Sequence, residues 1–214
     1  MAAMAQPISY PAATSGPDPI VVVGSEFCTS YPIDIVIQRK LLTLKECNFV
    51  VTDVNGNILF QIKGKLFSLH DRRSILDAAG NPILTLHQKT ITAHRRWNVF
   101  RGDDTESKNL LFSVKKSSLI QFKTELDVFM AGNTEEHTCD FKISGSWLDR
   151  SCVIYAGNTK NLVIAQMKKK HSVQSVVLGQ DTYSVTVCPN VDYAFIVALV
   201  AVLEEINADR NGDD

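Results

Sequence analysis

The sequence lacks the signatures of several common protein classes. Its five cysteines, at positions 28, 47, 139, 152 and 188, are odd in number and scattered, with no Cys-x-x-Cys pair. That pattern argues against a disulfide framework and against a cysteine-based zinc module. The five histidines (70, 87, 94, 137 and 171) show no metal-ligand spacing either, so no metal and no cofactor are expected. There is no Asn-x-Ser/Thr sequon, no basic segment leading into a long apolar one at the N-terminus, and no glycine after Met1 for myristoylation. The net charge is −1 over 214 residues, which removes the basic excess expected of general nucleic-acid binding. No apolar run reaches the ~20 residues of a membrane-spanning helix. These absences point to a cytoplasmic chain with free thiols; peripheral attachment at a membrane and a nuclear site remain the alternatives.

One segment is unlike the rest. Residues 193–203 read Tyr-Ala-Phe-Ile-Val-Ala-Leu-Val-Ala-Val-Leu, with nothing polar to mark a wet face. At ~1.5 Å per residue this run covers ~16 Å, too little for ~30 Å of hydrocarbon. A helix apolar all round must be buried on every side, so the run predicts a central core helix. Pro189 and Asn190 read as helix starter and N-cap, Asp192 as a first-turn charge, and Glu204-Glu205 as the close of the run.

The remainder of the chain supplies material to surround it. Short segments rich in Val, Ile, Phe, Leu and Thr recur between Gly, Asn, Asp and Ser, the pattern of an antiparallel sandwich or barrel. Strands are predicted at 33–37, 48–53, 57–63, 66–70, 72–77, 82–88, 97–101 and 110–115. Further ones are predicted at 118–122, 126–129, 137–144, 152–155, 162–167, 173–177 and 183–188. A closed barrel leaves no free sheet edge and gives the helix apolar neighbours in every direction. Two hairpins are marked by related frames, Asp53-Val-Asn-Gly-Asn57 and Asp77-Ala-Ala-Gly-Asn81, in which Asp bonds the backbone two residues on and Gly accepts positive φ. An EF-hand needs glycine sixth and glutamate twelfth, whereas here glycine is fourth and position twelve of the first frame is Gly64. The domain plan is a proline-rich flexible arm at 1–19, one domain at 20–207 and a polar tail at 208–214.

The paired Asp-x-x-Gly-Asn frames, Leu84-Thr-Leu86, Trp97-Asn-Val-Phe-Arg-Gly102 and Cys188-Pro-Asn-Val-Asp-Tyr193 together resemble the plant LURP-one-related family. Its domain is similar to the tubby C-terminal domain and the phospholipid scramblases. The resemblance covers roughly 20–207. It implies a mainly β fold, a twelve-stranded antiparallel barrel threaded by one hydrophobic C-terminal α-helix, so that some of the strands read above must merge or vanish. It also implies a non-enzymatic binding or regulatory module of plant cells, with defence-linked expression for some members.

Tubby-like domains bind phosphoinositide headgroups through basic side chains on the barrel wall. The cations that would serve an anionic membrane surface here are Arg95, Arg96, Lys115, Lys116, Lys168, Lys169 and Lys170. Alternation in 110–115 places Lys115 outward, opposite Phe112 and Val114. The alternative is a protein-interaction scaffold without lipid binding. A scramblase-like membrane protein is disfavoured, since the long proline-rich region, the cysteine cluster and the calcium-linked segment of scramblases are missing. Catalysis has little to stand on: His137 and Cys139, two apart, would share a strand face, but neither an oxyanion-hole glycine pattern nor an orienting acid accompanies them. Trp97 is expected on the inner wall facing the helix, and Trp147 as a cap over the barrel end.

Overall fold

The computed structural model describes residues 18–43, 46–64, 72–89, 96–117, 124–169 and 182–211. Twelve strands appear in chain order: β1 (Ile33–Thr43), β2 (Glu46–Thr52), β3 (Ile58–Gly64), β4 (Arg72–Asp77), β5 (Pro82–Lys89) and β6 (Arg96–Arg101), then β7 (Leu110–Lys116), β8 (Thr124–Met130), β9 (Phe141–Gly145), β10 (Val153–Ala156), β11 (Leu162–Lys169) and β12 (Thr182–Val187). A single helix, α1 (Tyr193–Asn211), follows. Each strand pairs antiparallel with its neighbour in sequence, and β1 closes the barrel onto β12, with Ile33 opposite Val187 and Ile37 opposite Tyr183. Closure satisfies the backbone groups that an open sheet would leave exposed at its edges.

Period-two alternation puts one apolar set inside. Ile35 and Ile37, Phe60 and Ile62, Phe112 and Val114, Leu126 and Val128, and Val185 and Val187 are all buried and belong to one continuous core with α1. Trp97 joins them on the inner wall, as expected. Every α1 residue from Ala194 to Leu203 is buried. Phe195 meets Phe112 edge-on at 5.1 Å and Phe141 at 4.8 Å between ring centroids, a geometry that adds to simple burial.

The expected strands find their counterparts with shifted ends, apart from those at 66–70, 118–122 and 173–177, which lie outside the described residues. The strand expected at 137–144 begins only at Phe141, because residues 131–140 form an irregular connection. Both Asp-x-x-Gly-Asn frames make hairpins, between β2 and β3 and between β4 and β5. The Asp53 carboxylate accepts from the Asn57 backbone N–H (2.9 Å) and side-chain amide (2.7 Å), and Asp77 does the same for Asn81 (2.8 and 2.9 Å). Gly56 and Gly80 sit at φ +88° and +91°, where a side chain would be strained. Asn81 and Asn57 hold both carboxyls below the usual carboxylate range.

Helix capping differs from the sequence expectation. The N-cap is Asp192, whose Oδ1 accepts from the Phe195 N–H at 3.0 Å, while Asn190 sits in the preceding turn at φ +60°. The other oxygen, Oδ2, accepts from the N–H groups of Val22 (3.1 Å), Val23 (2.6 Å) and Gly24 (3.1 Å). A fully buried carboxylate is thereby supplied with four donors. It fastens residues 20–28 as a strap across the end of the barrel where α1 begins. Phe27 of the strap packs on Phe60 and Tyr193. At the other end α1 runs past Glu204 and Glu205 to Asn211, so the first residues of the expected tail are helical.

Because consecutive strands alternate in direction, odd strands start and even strands end at one rim, beside the start of α1. This is the N-rim. Odd strands end and even strands start at the opposite C-rim, towards which α1 runs.

Two substitutions test this construction. Ala198→Asp places an unpaired carboxylate among side chains that exclude water and should lower stability by several kcal/mol or abolish folding; Val54→Asp, at a site 65% exposed, should leave the melting temperature nearly unchanged. Equal melting of the two variants would contradict a helix buried on all sides. Asp192→Asn removes the charge and one acceptor oxygen from the donors converging on it, for an expected loss of about 2–4 kcal/mol in urea unfolding. Protease cleavage of the strap should then precede global unfolding.

Candidate functional site

The cations singled out in the sequence fall on three strands. Arg96 opens β6, Lys115 and Lys116 close β7, and Lys168 and Lys169 close β11. Arg95 and Lys170 lie outside the described residues. All three strand ends belong to the C-rim, yet β8, β9 and β10 stand between β7 and β11. The cations therefore sit around the C-rim on separate strands and do not form one patch. Lys168 is exposed and Lys116 half-buried.

Arg96 and Lys115 are not free. The connection at 131–140 between β8 and β9 lays Glu136 over the outer face of β6 and β7. Arg96 grips its carboxylate with both terminal guanidinium nitrogens, Nη2 at 2.7 Å, and the Lys115 ammonium lies 2.9 Å away. Lys115 also stands over the Phe129 ring, 4.4 Å from its centroid. The Arg96 bonds, joined by Lys115, push the Glu136 carboxyl down to about 2, and Glu136 in turn raises the Arg96 guanidinium. Alternation placed Lys115 on the outer face correctly; the covering connection is what the strand pattern cannot reveal.

The same arrangement recurs around the barrel. Asp103, in the connection after β6, meets Arg72 of β4 at 3.0 Å, and Lys160, in the connection after β10, meets Glu125 of β8 at 2.5 Å. Each connection carries a charge onto a strand two places back.

Inside the C-rim lies a polar collar around α1. Arg73 opposes Gly64 in register and inserts its side chain where a Cβ at that position would overlap the guanidinium. Its Nε and Nη2 reach the two oxygens of Glu205 at 2.8 and 2.7 Å. Glu204 accepts from the Tyr183 hydroxyl at 2.5 Å and lies 3.5 Å from Arg150. Arg150 stacks on Trp147, 3.8 Å from the ring centroid, and on Tyr183 at 4.6 Å. Trp147 is buried over the barrel end, as expected. Arg73 is the collar member the sequence could have given: alternation in β4 puts it on the same face as Ile75.

The histidine and cysteine pairing dissolves. His137 and Cys139 occupy the irregular connection; His137 is exposed and Cys139 buried. Burial raises the thiols of Cys28, Cys139 and Cys152, the last to about 11, which is the reverse of nucleophile activation. Among the described residues no His, Cys, Asp and Glu group is placed to hold a metal, and no helix is long and apolar enough to cross a membrane.

Comparison with known proteins follows the same lines. The LURP-one-related family model matches residues 33–204. The chain is 54% identical over 187 residues to protein LURP-one-related 15 of Arabidopsis thaliana, covering 87% of this chain and 86% of that protein. It is 50% identical over 195 residues to LURP-one-related 10 of the same plant, covering 91% and 100%. An X-ray structure of an Arabidopsis thaliana protein, 46% identical, superimposes with a TM-score of 0.69 over 87% of this chain and 98% of that one.

Glu136 provides a pH test. Its folded value of about 2 lies below the ordinary 4.5, so the contact contributes stability that is fully present above pH 4.5 and is lost as pH falls through 2. With the carboxylate 22% exposed, the contribution is on the order of 1–3 kcal/mol after allowance for solvent screening. Glu136→Gln should therefore destabilise at pH 7 and melt with the native protein near pH 2. A pH-independent difference between the two would contradict the ion-pair account.

Proposed function

The chain belongs to the LURP-one-related family, and from that premise we propose that it is a non-enzymatic binding module that docks its C-rim on an anionic membrane surface, taking phosphoinositide headgroups as ligands. One observation carries this reading: Leu148, in the turn between β9 and β10, is 80% exposed and stands on the same rim as Lys116 and Lys168. An apolar tip with Lys116 and Lys168 on the strands to either side, and the exposed Asp149 next to it, suits an interface in which the side chain enters the headgroup layer while lysines meet phosphate. Near an anionic surface each lysine contributes about 1 kcal/mol. The raised thiols and the separation of His137 from Cys139 support a role without catalysis. Defence-linked activity in plant cells, with the protein cytoplasmic and peripheral at a membrane or nuclear, belongs to the same proposal.

The engagement of Arg96 and Lys115 by Glu136 favours the second reading, a scaffold that binds proteins without lipid, because it withdraws two cations from the rim.

Sedimentation with vesicles of defined phosphoinositide content, at low and physiological salt, separates the two. Lipid docking predicts binding that weakens with salt, falls by roughly fivefold for each of Lys116→Gln and Lys168→Gln, and falls further with Leu148→Ser at unchanged melting temperature. Glu136→Gln should strengthen binding by releasing Arg96 and Lys115. Absence of binding by the native protein at low salt would leave the scaffold reading.

A further inference from the structure

The opposite rim has a different character. Of the seven exposed large apolar side chains among the described residues, all but Leu148 lie at the N-rim or in the segments that cross it: Val21, Tyr31, Val54, Ile58, Leu162 and Val163. Closure of the barrel puts their strands side by side. Leu162 and Val163 open β11, β12 follows, Tyr31 leads into β1, and Val54 and Ile58 occupy the hairpin and first residue of β3. Val21 belongs to the strap, which reaches the same place: Ile20 bridges to Val191, and its N–H donates to the Asn190 carbonyl at 2.8 Å. Cys188, just past β12, reaches the Val163 carbonyl at 3.5 Å and joins the two sides. The result is an apolar arc over five consecutive strands.

Its charged border is mainly acidic, the cation beside it being Arg101 at the end of β6, which is turned to the Val23 carbonyl at 2.6 Å. Asp18 lies just before the strap, Glu26 on it, Asp34 on β1 and Asp53 in the β2–β3 hairpin. Asp53 is held ionised by its hydrogen bonds to Asn57 and Asn55. Lys160, in the neighbouring connection before β11, is taken by Glu125. A membrane bearing anionic lipid is repelled by such a border, and a second copy would bring the same acids against it. The chain's own residues 1–17 contain no lysine or arginine and do not complement it.

We propose that the N-rim arc is a docking surface for a polypeptide segment whose apolar residues are flanked by lysine or arginine. The apolar side chains supply contact area and the acids select the flanks, steering association and rejecting segments of the opposite charge. This surface is independent of the lipid reading, since it lies at the other end of the barrel.

The test uses the full chain, isotope-labelled for amide NMR, and two synthetic peptides with the same leucine and valine centre, one flanked by lysines and one by glutamates. The lysine peptide should shift the amides of Val21, Tyr31, Val54, Ile58, Leu162 and Val163. Its affinity should fall as the Debye length shrinks from about 30 Å to about 8 Å with added salt. Tyr31 and Val54 are 63% and 65% exposed, so Tyr31→Lys with Val54→Lys should keep the native melting temperature, lose the lysine peptide and respond to the glutamate one. Equal response to both peptides, or shifts confined to the C-rim, would overturn the proposal. So would concentration-dependent shifts without peptide, which mark a second copy. Movement of the arc's amides on deletion of residues 2–17 would overturn it too, by making the chain's own N-terminus the occupant.

Discussion

The burial of α1 sets the terms for everything around it. From Ala194 to Leu203 no side chain keeps contact with water, and each large apolar one removed from solvent is worth about 1.5–3 kcal/mol. Such a helix is stable only if its whole circumference is covered. Twelve strands, joined in sequence order and closed from β12 to β1, cover it without leaving an edge. The helix occupies the space that an eight-stranded lipid carrier would give to a ligand. The interior is thereby filled, and the rims and the outer wall are the surfaces left to solvent.

The polar groups buried with the helix lie at its two ends, where they fix its position along the barrel axis. Asp192 caps the first turn and anchors the strap through four backbone donors; a carboxylate so deeply placed is tolerable only with its lone pairs satisfied. At the far end Arg73 and Arg150 hold Glu205 and Glu204 where the apolar run gives out. Breaking either end strands a charge in a poorly solvated place, which is more damaging than the net worth of the contact. Arg73 itself depends on Gly64, the residue across the ladder that leaves it room.

Net charge conceals the electrostatic layout. A total of −1 suggests a protein with little to say to charged partners, yet cations are spaced over separate strand ends of the C-rim and acids border the apolar arc of the N-rim. Connections that fold back across the outer wall partly cancel this polarity, as Glu136 does for Arg96 and Lys115. Among the described residues the two ends differ in chemistry, one carrying lysines on separate strand ends and the exposed Leu148, the other a mainly acidic border around six exposed apolar side chains.

Much of the fold was legible because its signals are local. The unbroken run at 193–203 required a buried helix, the alternation of Phe112 with Val114 or of Ile35 with Ile37 gave strand faces, and the Asp53 and Asp77 frames fixed two hairpins through bonds spanning four residues. The candidate site was far less legible. Strand alternation correctly put Lys115 outside, but the carboxylate that neutralises it arrives from a connection twenty-one residues away in sequence. The N-cap went to Asp192 in place of Asn190 because donors from Val22, Val23 and Gly24, some 170 residues distant, needed that carboxylate. Sequence by itself determined which segments must be apolar, where the chain turns and that a helix must be enclosed, since those follow from burial and from backbone conformation within a few residues. Only the tertiary structure decided which charges meet and which stay free, because ion pairs, capping contacts and the make-up of a rim depend on residues that barrel closure brings together from opposite ends of the chain.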